Sequence, residues 1–433
     1  MRFFRSALVR LTAIAVCLVT LAPPDVPGAD PGSGSGTQSS GRASADGEWP
    51  QFRGPNRDGV SKETGLLREW PASGPPVLWK AVNAGEGFSS VAISHGRVFT
   101  MGSRDGGEYV IAYDVETGKE LWATRTGKPF LVDKVNGPRS TPTVEGDRLW
   151  ALGANGDLWC LNVADGHSVW HLDIFEKFGG NNIQWGLAES PLLDGDHVIV
   201  TPGSPSGSIV ALDKSTGELV WQSSEVKDRA AYASAIVADV AGVRQIIQFT
   251  AAALVGVNAS QGKLLWRYER VANDVANCAT PILDRNHVFA SSAYDRGGVL
   301  LSLSADGSGG VRAEELYFTR EMMNHYGGMV LLDGSLYGYS NRDLACVDFK
   351  TGERKWRARA AGKGVLTAAE GLLYLLSEQG VVSLARPTPD AYEEISRFRI
   401  EKPRAQIWAI PVIAGGRLFI RNQDEILCYD IRR

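Results

Sequence analysis

The chain has 433 residues, 44% of them hydrophobic, and a formal net charge of −4. That is enough apolar material for a large core, and it gives no basic face of the kind that draws nucleic acid. Six histidines and five cysteines lie scattered without zinc spacing, and no Gly-rich phosphate loop or Ser-His-Asp signature is present.

Residues 1–22 carry Arg2, Arg5 and Arg10 ahead of the apolar run LTAIAVCLVTLA. A basic head and an apolar stretch of this length predict a secretory signal within residues 1–29, too short for a membrane span. The mature chain is therefore expected in the periplasm or cell envelope, without a transmembrane span. Val16 precedes Cys17 where a lipoprotein signal uses a small residue, which argues against lipidation. Residues 30–47 are rich in Gly, Ser, Pro and Asp, a composition that predicts a flexible linker. Residues 48–433 remain as a single domain.

The stretch WPQFRGPNRDGVS, within residues 48–76, has no periodicity and is expected to pack across one face of that domain. VLWK, residues 77–80, reads as an isolated strand with no hairpin partner before it. A repeat then begins. Ala112-Asp114-Gly118-Trp122 recurs as Cys160-Asn162-Gly166-Trp170, Ala211-Asp213-Gly217-Trp221, Gly256-Asn258-Gly262-Trp266 and Cys346-Asp348-Gly352-Trp356. Repeats of about 40–50 residues indicate propellers or helical solenoids. Alternation of period two runs into each Asp or Asn, Gly supplies the turn, and the strand bearing the Trp returns, so each copy is a β-hairpin. The small slot of the repeat holds Cys160, Cys346 and Cys428, which read as core residues rather than disulfides. Cys278 takes the same reading, and the Trp is the partner expected to press on the slot.

The chain ends on three strands and Cys428-x-Asp430, before any Trp. Residues 77–80 would complete that unit and close the ring. The aromatics Trp79, Trp122, Trp170, Trp221, Trp266, Phe318, Trp356 and Phe398 count eight units. The units ending at Phe318 and Phe398 have lost the motif, and Ser302 and Ser383 are taken as their slots. The fold class is all-β: an eight-bladed propeller of four-stranded antiparallel blades, closed by the N-terminal strand. Seven blades is the competing count, if one degenerate unit is an insertion.

The segments leading into the innermost strands should line the mouth of the channel. Arg139, Trp185, Glu189, Tyr232, Asn277, Asn324 and His325 all lie in such segments. There an Arg can meet a carboxylate, Trp185 or Tyr232 can stack on a planar ring, and Glu189 with Asn277 can offer oxygens to a hard cation. The plainer alternatives are that Arg139 satisfies nearby carbonyls or pairs with Glu189, and that His325 is a hydrogen-bonded loop histidine.

The repeat Ala-x-Asp-x-x-x-Gly-x-x-x-Trp is similar to the tryptophan-docking motif of pyrroloquinoline quinone repeat propellers. These include the periplasmic scaffold lipoprotein of the outer-membrane β-barrel assembly machinery and, more distantly, the quinoprotein alcohol dehydrogenases. The opening WPQFRGPNRDGVS, GPPVLWK and GFSS resemble exported quinone-repeat-like proteins of unassigned function. In the dehydrogenases Glu, Asn and Asp from different blades hold Ca²⁺ and a nearby Asp is the base. The resemblance thus implies Glu189 and Asn277 as metal ligands, and Arg139, Trp185, Tyr232, Asn324 and His325 as residues toward the quinone. Asn324 and His325 stand where the acid is wanted, and no adjacent cysteines occur. The expected function is therefore a non-enzymatic binding or interaction scaffold without an assigned catalytic residue. Its partner would be an envelope protein or a small ligand at the channel mouth. The alternative is a dehydrogenase of alcohols or sugars using pyrroloquinoline quinone and Ca²⁺.

Overall fold

In the computed structural model, residues 47–132, 135–401, 403 and 405–433 are described. The expected signal and all but the last residue of the linker lie outside them. The motif explains each hairpin. In the first copy, Asp114 Oδ1 accepts from the Thr117 amide at 2.9 Å and the Thr117 hydroxyl at 2.7 Å. Gly118 takes a φ of +67°, which only glycine adopts freely, and its N–H returns to the Asp114 carbonyl at 2.9 Å. The strand Glu120–Gly127 then comes back with Trp122 opposite Ala112, and a β-bulge follows at once. The pairs Cys160–Trp170, Ala211–Trp221, Gly256–Trp266, Cys346–Trp356 and Cys428–Trp79 repeat that register, each beside a bulge.

Eight four-stranded antiparallel sheets result, forming the blades of one propeller. Blade 1 runs from Ala92–Ser94 to Glu120–Gly127, and blade 2 from Thr143–Glu145 to Ser168–Asp173. Blade 3 spans Leu192–Asp194 to Leu219–Gln222, and blade 4 spans Ile236–Val240 to Leu264–Tyr268. Blade 5 runs from Ile282–Asp284 to Val311–Thr319, blade 6 from Asn324–Leu332 to Arg354–Ala358, and blade 7 from Gly364–Ala369 to Glu393–Arg399. Blade 8 takes Val412–Ala414, Arg417–Asn422 and Glu425–Asp430 from the C-terminus and Val77–Ala81 from the N-terminal side. The ring is closed as expected.

The core lies between blades. Among the described residues, eight apolar clusters fill the eight interfaces, each drawing on two neighbouring blades. The docked aromatics bridge the same seams. Trp221 presses on Gly262 of blade 4, where an added Cβ would fall 2.3 Å from the indole, and its Nε1 donates to the Ala259 carbonyl at 2.9 Å. Trp79, Trp122 and Trp170 make the same pair of contacts onto Gly118, Gly166 and Gly217. Trp221→Ala should therefore cost about 3–5 kcal/mol, through the void and the lost seam. Thermal melts at matched scan rates check this, and an unchanged midpoint would rule out a docking role.

The degenerate blades keep the geometry with other residues. In blade 5 the bulge pairs Leu300 with Tyr317, and in blade 7 Leu384 with Ser396, so the slots are Leu300 and Leu384 rather than Ser302 and Ser383. Tyr317, not Phe318, docks on Gly352, its hydroxyl replacing the indole donor toward the Phe349 carbonyl at 2.8 Å. Trp266 faces this altered blade and instead donates to Gln245 of its own blade at 2.7 Å.

The unperiodic N-terminal stretch does more than cross one face: it bonds to the inner edges of seven blades, with Ser61 Oγ on the Ile413 carbonyl of blade 8 at 2.9 Å. Trp49 exchanges both backbone bonds with Ile93 of blade 1, and Pro50 accepts from Val144 of blade 2. Buried Arg57 donates to the Ser190 and Ala235 carbonyls at 3.1 and 3.0 Å and also to that of Pro191, tying blades 3 and 4. Buried Arg53 reaches the Met329 carbonyl in blade 6. Val60–Ser61 then adds a parallel fifth strand inside blade 7.

Candidate functional site

Serine and threonine hydroxyls stitch the segments before successive innermost strands together. The Ser90 amide donates to Thr141 Oγ1 at 3.1 Å, the Thr141 amide to Ser190 Oγ at 2.9 Å, and the Ser190 amide to Ser234 Oγ at 2.9 Å. Ser90 Oγ closes toward blade 8 through the Ile410 carbonyl at 2.6 Å. This belt fixes the segments whose other side chains converge at the axis.

They enclose a cavity of about 260 Å³ with mostly aromatic walls. Trp185 and Tyr232 lie on one side with ring centroids 5.7 Å apart. A second wall is continuous: Phe88 stacks on Trp408 at 4.4 Å, Trp408 on Tyr326 at 5.6 Å, and Tyr326 meets His325 at 4.6 Å. Phe52 of the N-terminal stretch and the half-buried Cys278 complete the lining. Four of the residues expected at the mouth, Arg139, Trp185, Tyr232 and His325, are thus brought together. Phe52, Tyr294, Tyr326 and Trp408 were not singled out by the sequence. Trp408 had a readable signal, since it sits just ahead of Val412–Ala414 as the others sit ahead of their strands.

Arg139 donates to the Val135 and Gly137 carbonyls at 2.6 and 3.0 Å, and its guanidinium lies 5.4 Å from the Phe88 ring centre. It has no carboxylate ion-pair partner among the described residues, and burial pulls it down to about 10. Lys363 Nζ stands 3.1 Å from His325 Nδ1, 3.6 Å from Glu378, and 4.6 Å from the Tyr326 ring centre. Burial, reinforced by Lys363, lowers His325 to about 4, so the ring is neutral at pH 7. Glu378 also accepts from Trp408 Nε1 at 2.9 Å and from the Tyr326 hydroxyl.

Glu189, Asn277 and Asn324 are not part of the lining. Glu189 is buried, accepting from the Thr201 amide and from Gln248 Nε2 at 2.8 Å. Asn277 Oδ1 accepts from the Asn273 amide at 3.0 Å, and its Nδ2 donates to the Thr250 carbonyl at 3.1 Å. Asn324 donates to the Tyr339 carbonyl at 3.1 Å. Among the described residues, no three His, Cys, Asp or Glu side chains gather as a metal site. Pyrroloquinoline quinone with Ca²⁺ does not fit this arrangement. The oxygens proposed for the cation already serve protein donors, and one unpaired guanidinium faces what would be a tricarboxylate.

Two buried carboxyls, Glu108 and Glu189, make stability depend on pH above the ordinary carboxylate range. Glu108 is buried, with one oxygen on the Ala154 amide at 3.2 Å and the other without a partner. Burial raises it from 4.5 to about 8, and burial likewise raises Glu189 to about 7. Between those values and 4.5 the folded chain holds protons that the unfolded chain has released, so stability falls as pH rises through that window. Glu108→Gln should flatten the fall and leave the protein about 3 kcal/mol more stable at pH 8 than wild type. Melts at pH 5, 6.5 and 8 read this directly; parallel curves for the two proteins would contradict it.

A larger concavity, about 1650 Å³, lies at the other ends of the innermost strands. Along it Arg244 pairs with Asp194 at 2.5 Å, and Glu145 with Lys214 at 2.5 Å. No helix among the described residues is long and apolar enough to cross a membrane.

The chain resembles proteins of known identity in sequence and in fold. It is 26% identical over 164 residues to the outer membrane protein assembly factor BamB of Shewanella oneidensis, covering 37% of this chain and 40% of that protein. The matched stretches span about half the length of such curated relatives, or less. Among solved structures, BamB from Moraxella catarrhalis superposes with a TM-score of 0.57 at 17% identity, covering 83% of this chain and 98% of that one. The quinohemoprotein alcohol dehydrogenase of Comamonas testosteroni gives 0.62 at 11% identity, over 89% and 80% of the two chains. At such identities both likenesses show the fold alone. The family described as outer membrane protein assembly factor BamB matches residues 66–177 and 108–358, the docked hairpins that build the ring, and the chain belongs to that family.

Proposed function

We propose that this chain is an exported, non-enzymatic scaffold of the cell envelope that acts in outer-membrane protein assembly through a protein partner. The family match over residues 66–358 carries the reading. The secretory pattern of residues 1–29 supports the location, and a folded mature unit at 48–433 goes with it. The channel mouth supports the absence of catalysis. Glu189 and Asn277 serve the fold, and His325 is held by Lys363 and Tyr294. The dehydrogenase reading has the fold likeness and the aromatic walls in its favour, and lacks a free acid among the described residues that line the cavity.

The test is cross-linked capture of the tagged full chain from the envelope of its own host, with deletion of its gene in parallel. The reading expects an outer-membrane assembly component in the capture and a loss of outer-membrane proteins on deletion. Alcohol-dependent reduction of an artificial acceptor in the presence of pyrroloquinoline quinone and Ca²⁺ would overturn it. So would an unchanged outer membrane in the deletion strain.

A further inference from the structure

The aromatic cavity has a charge and a shape that assembly by protein contact does not require. Its walls come from seven blades and the N-terminal stretch, with Trp185 and Tyr232 across from the run of Phe88, Trp408 and Tyr326. Flat faces on either side of a space of about 260 Å³ suit a planar ligand of one or two fused rings.

Charge narrows the class. Lys363 is offset by Glu378, 3.6 Å away, and His325 is neutral at pH 7. The Cys278 thiol is pushed up to about 12 by burial and is neutral too. What remains is the Arg139 guanidinium, with no carboxylate partner among the described residues and its two terminal nitrogens on the Val135 and Gly137 carbonyls. A net charge of one cation in a largely apolar wall favours one anion and disfavours a cation. Among the described residues that line the cavity there is no further unmatched cation of the kind a second carboxylate would need.

We infer that the channel-mouth cavity is a binding site for a small planar aromatic monocarboxylate, stacked between Trp185 and Trp408 with its carboxylate toward Arg139. The inference is independent of the scaffold reading and uses no metal. It predicts an order of affinity among isosteric probes: indole-3-acetate above its neutral amide, and both above tryptamine.

Isothermal titration calorimetry with the mature chain tests the order, and thermal melts in the same buffers report occupancy. The acid should bind about tenfold more tightly than the amide and raise the melting midpoint. Trp408→Ala should weaken acid and amide alike by about tenfold. Arg139→Gln should bring the acid down to the affinity of the amide, while Arg139→Lys, which keeps the charge, should retain part of the preference. Should either Arg139 variant melt early, the wild-type order among the three probes still decides. Equal binding of acid and amide to wild type, preference for tryptamine, or no binding of the acid at about 1 mM would each overturn the inference.

Discussion

A chain lacking residues 77–81 is expected to be recovered as aggregate rather than as a folded monomer. Val77–Ala81 is the outermost strand of blade 8, antiparallel to Glu425–Asp430, with Val77 opposite Tyr429, Trp79 opposite Cys428 and Ala81 opposite Ile426. Removing it uncovers the backbone edge of the last C-terminal strand. It also removes Trp79, which rests on Gly118 and donates to the Val115 carbonyl at 2.9 Å, sealing blade 8 to blade 1. The loss of one such tryptophan costs about 3–5 kcal/mol, against about 5–15 kcal/mol for the stability of a whole domain. Adding the lost ladder should exceed what the ring can bear. Leu78→Lys is the control, because that side chain is 40% exposed and its replacement keeps the ladder. Size-exclusion profiles of the two proteins decide. A soluble, monomeric deletion variant would mean that blade 8 stands on three strands.

The ring was legible because its grammar is physical. A turn that needs an Asp or Asn acceptor and a left-handed glycine, followed by a large indole, leaves few substitutes, so five copies stand out in Asp114, Gly118 and Trp122 and their equivalents. Where a substitute exists the reading slipped. Tyr317 can reach the Phe349 carbonyl with a hydroxyl, so blade 5 keeps the docking without the Trp, and Phe318 next to it drew the count instead. The site was legible to the segment and not to the face. Ala188 and Cys278 line the cavity while Glu189 and Asn277, one position away in extended chain, turn to Gln248 and Thr250. Alternation of sides in extended backbone explains the miss, since position in the repeat sets the segment and parity sets the face. The N-terminal stretch was illegible for another reason. Its arginines answer carbonyls more than a hundred residues away, as Arg57 does at Ser190, and so it leaves no local period.

Arg57→Met should destabilise the propeller by about 3 kcal/mol or more, and by a route distinct from any tryptophan loss. The guanidinium is buried, and burial pulls it down to about 9, which measures how unfavourable a charge is at this position. It stays because of what it satisfies: the Ser190, Pro191 and Ala235 carbonyls, with Nε on Gln51 Oε1 at 2.9 Å. Methionine fills similar volume and removes the charge, so packing is largely kept while the Ser190 and Ala235 carbonyls lose this donor and the Pro191 carbonyl keeps Thr143 Oγ1 at 2.6 Å. Each orphaned group costs about 1–3 kcal/mol, which outweighs relief from desolvating the guanidinium unless water can enter. The same change releases the tie that holds residues 49–61 to blades 3 and 4. Limited proteolysis should then cut within that stretch before the ring melts, whereas Trp221→Ala should leave the stretch protected until global unfolding. A variant that melts with wild type and resists protease there would show that the carbonyls find other donors, and that Trp49, Pro50, Arg53 and the Val60–Ser61 strand suffice to anchor the stretch.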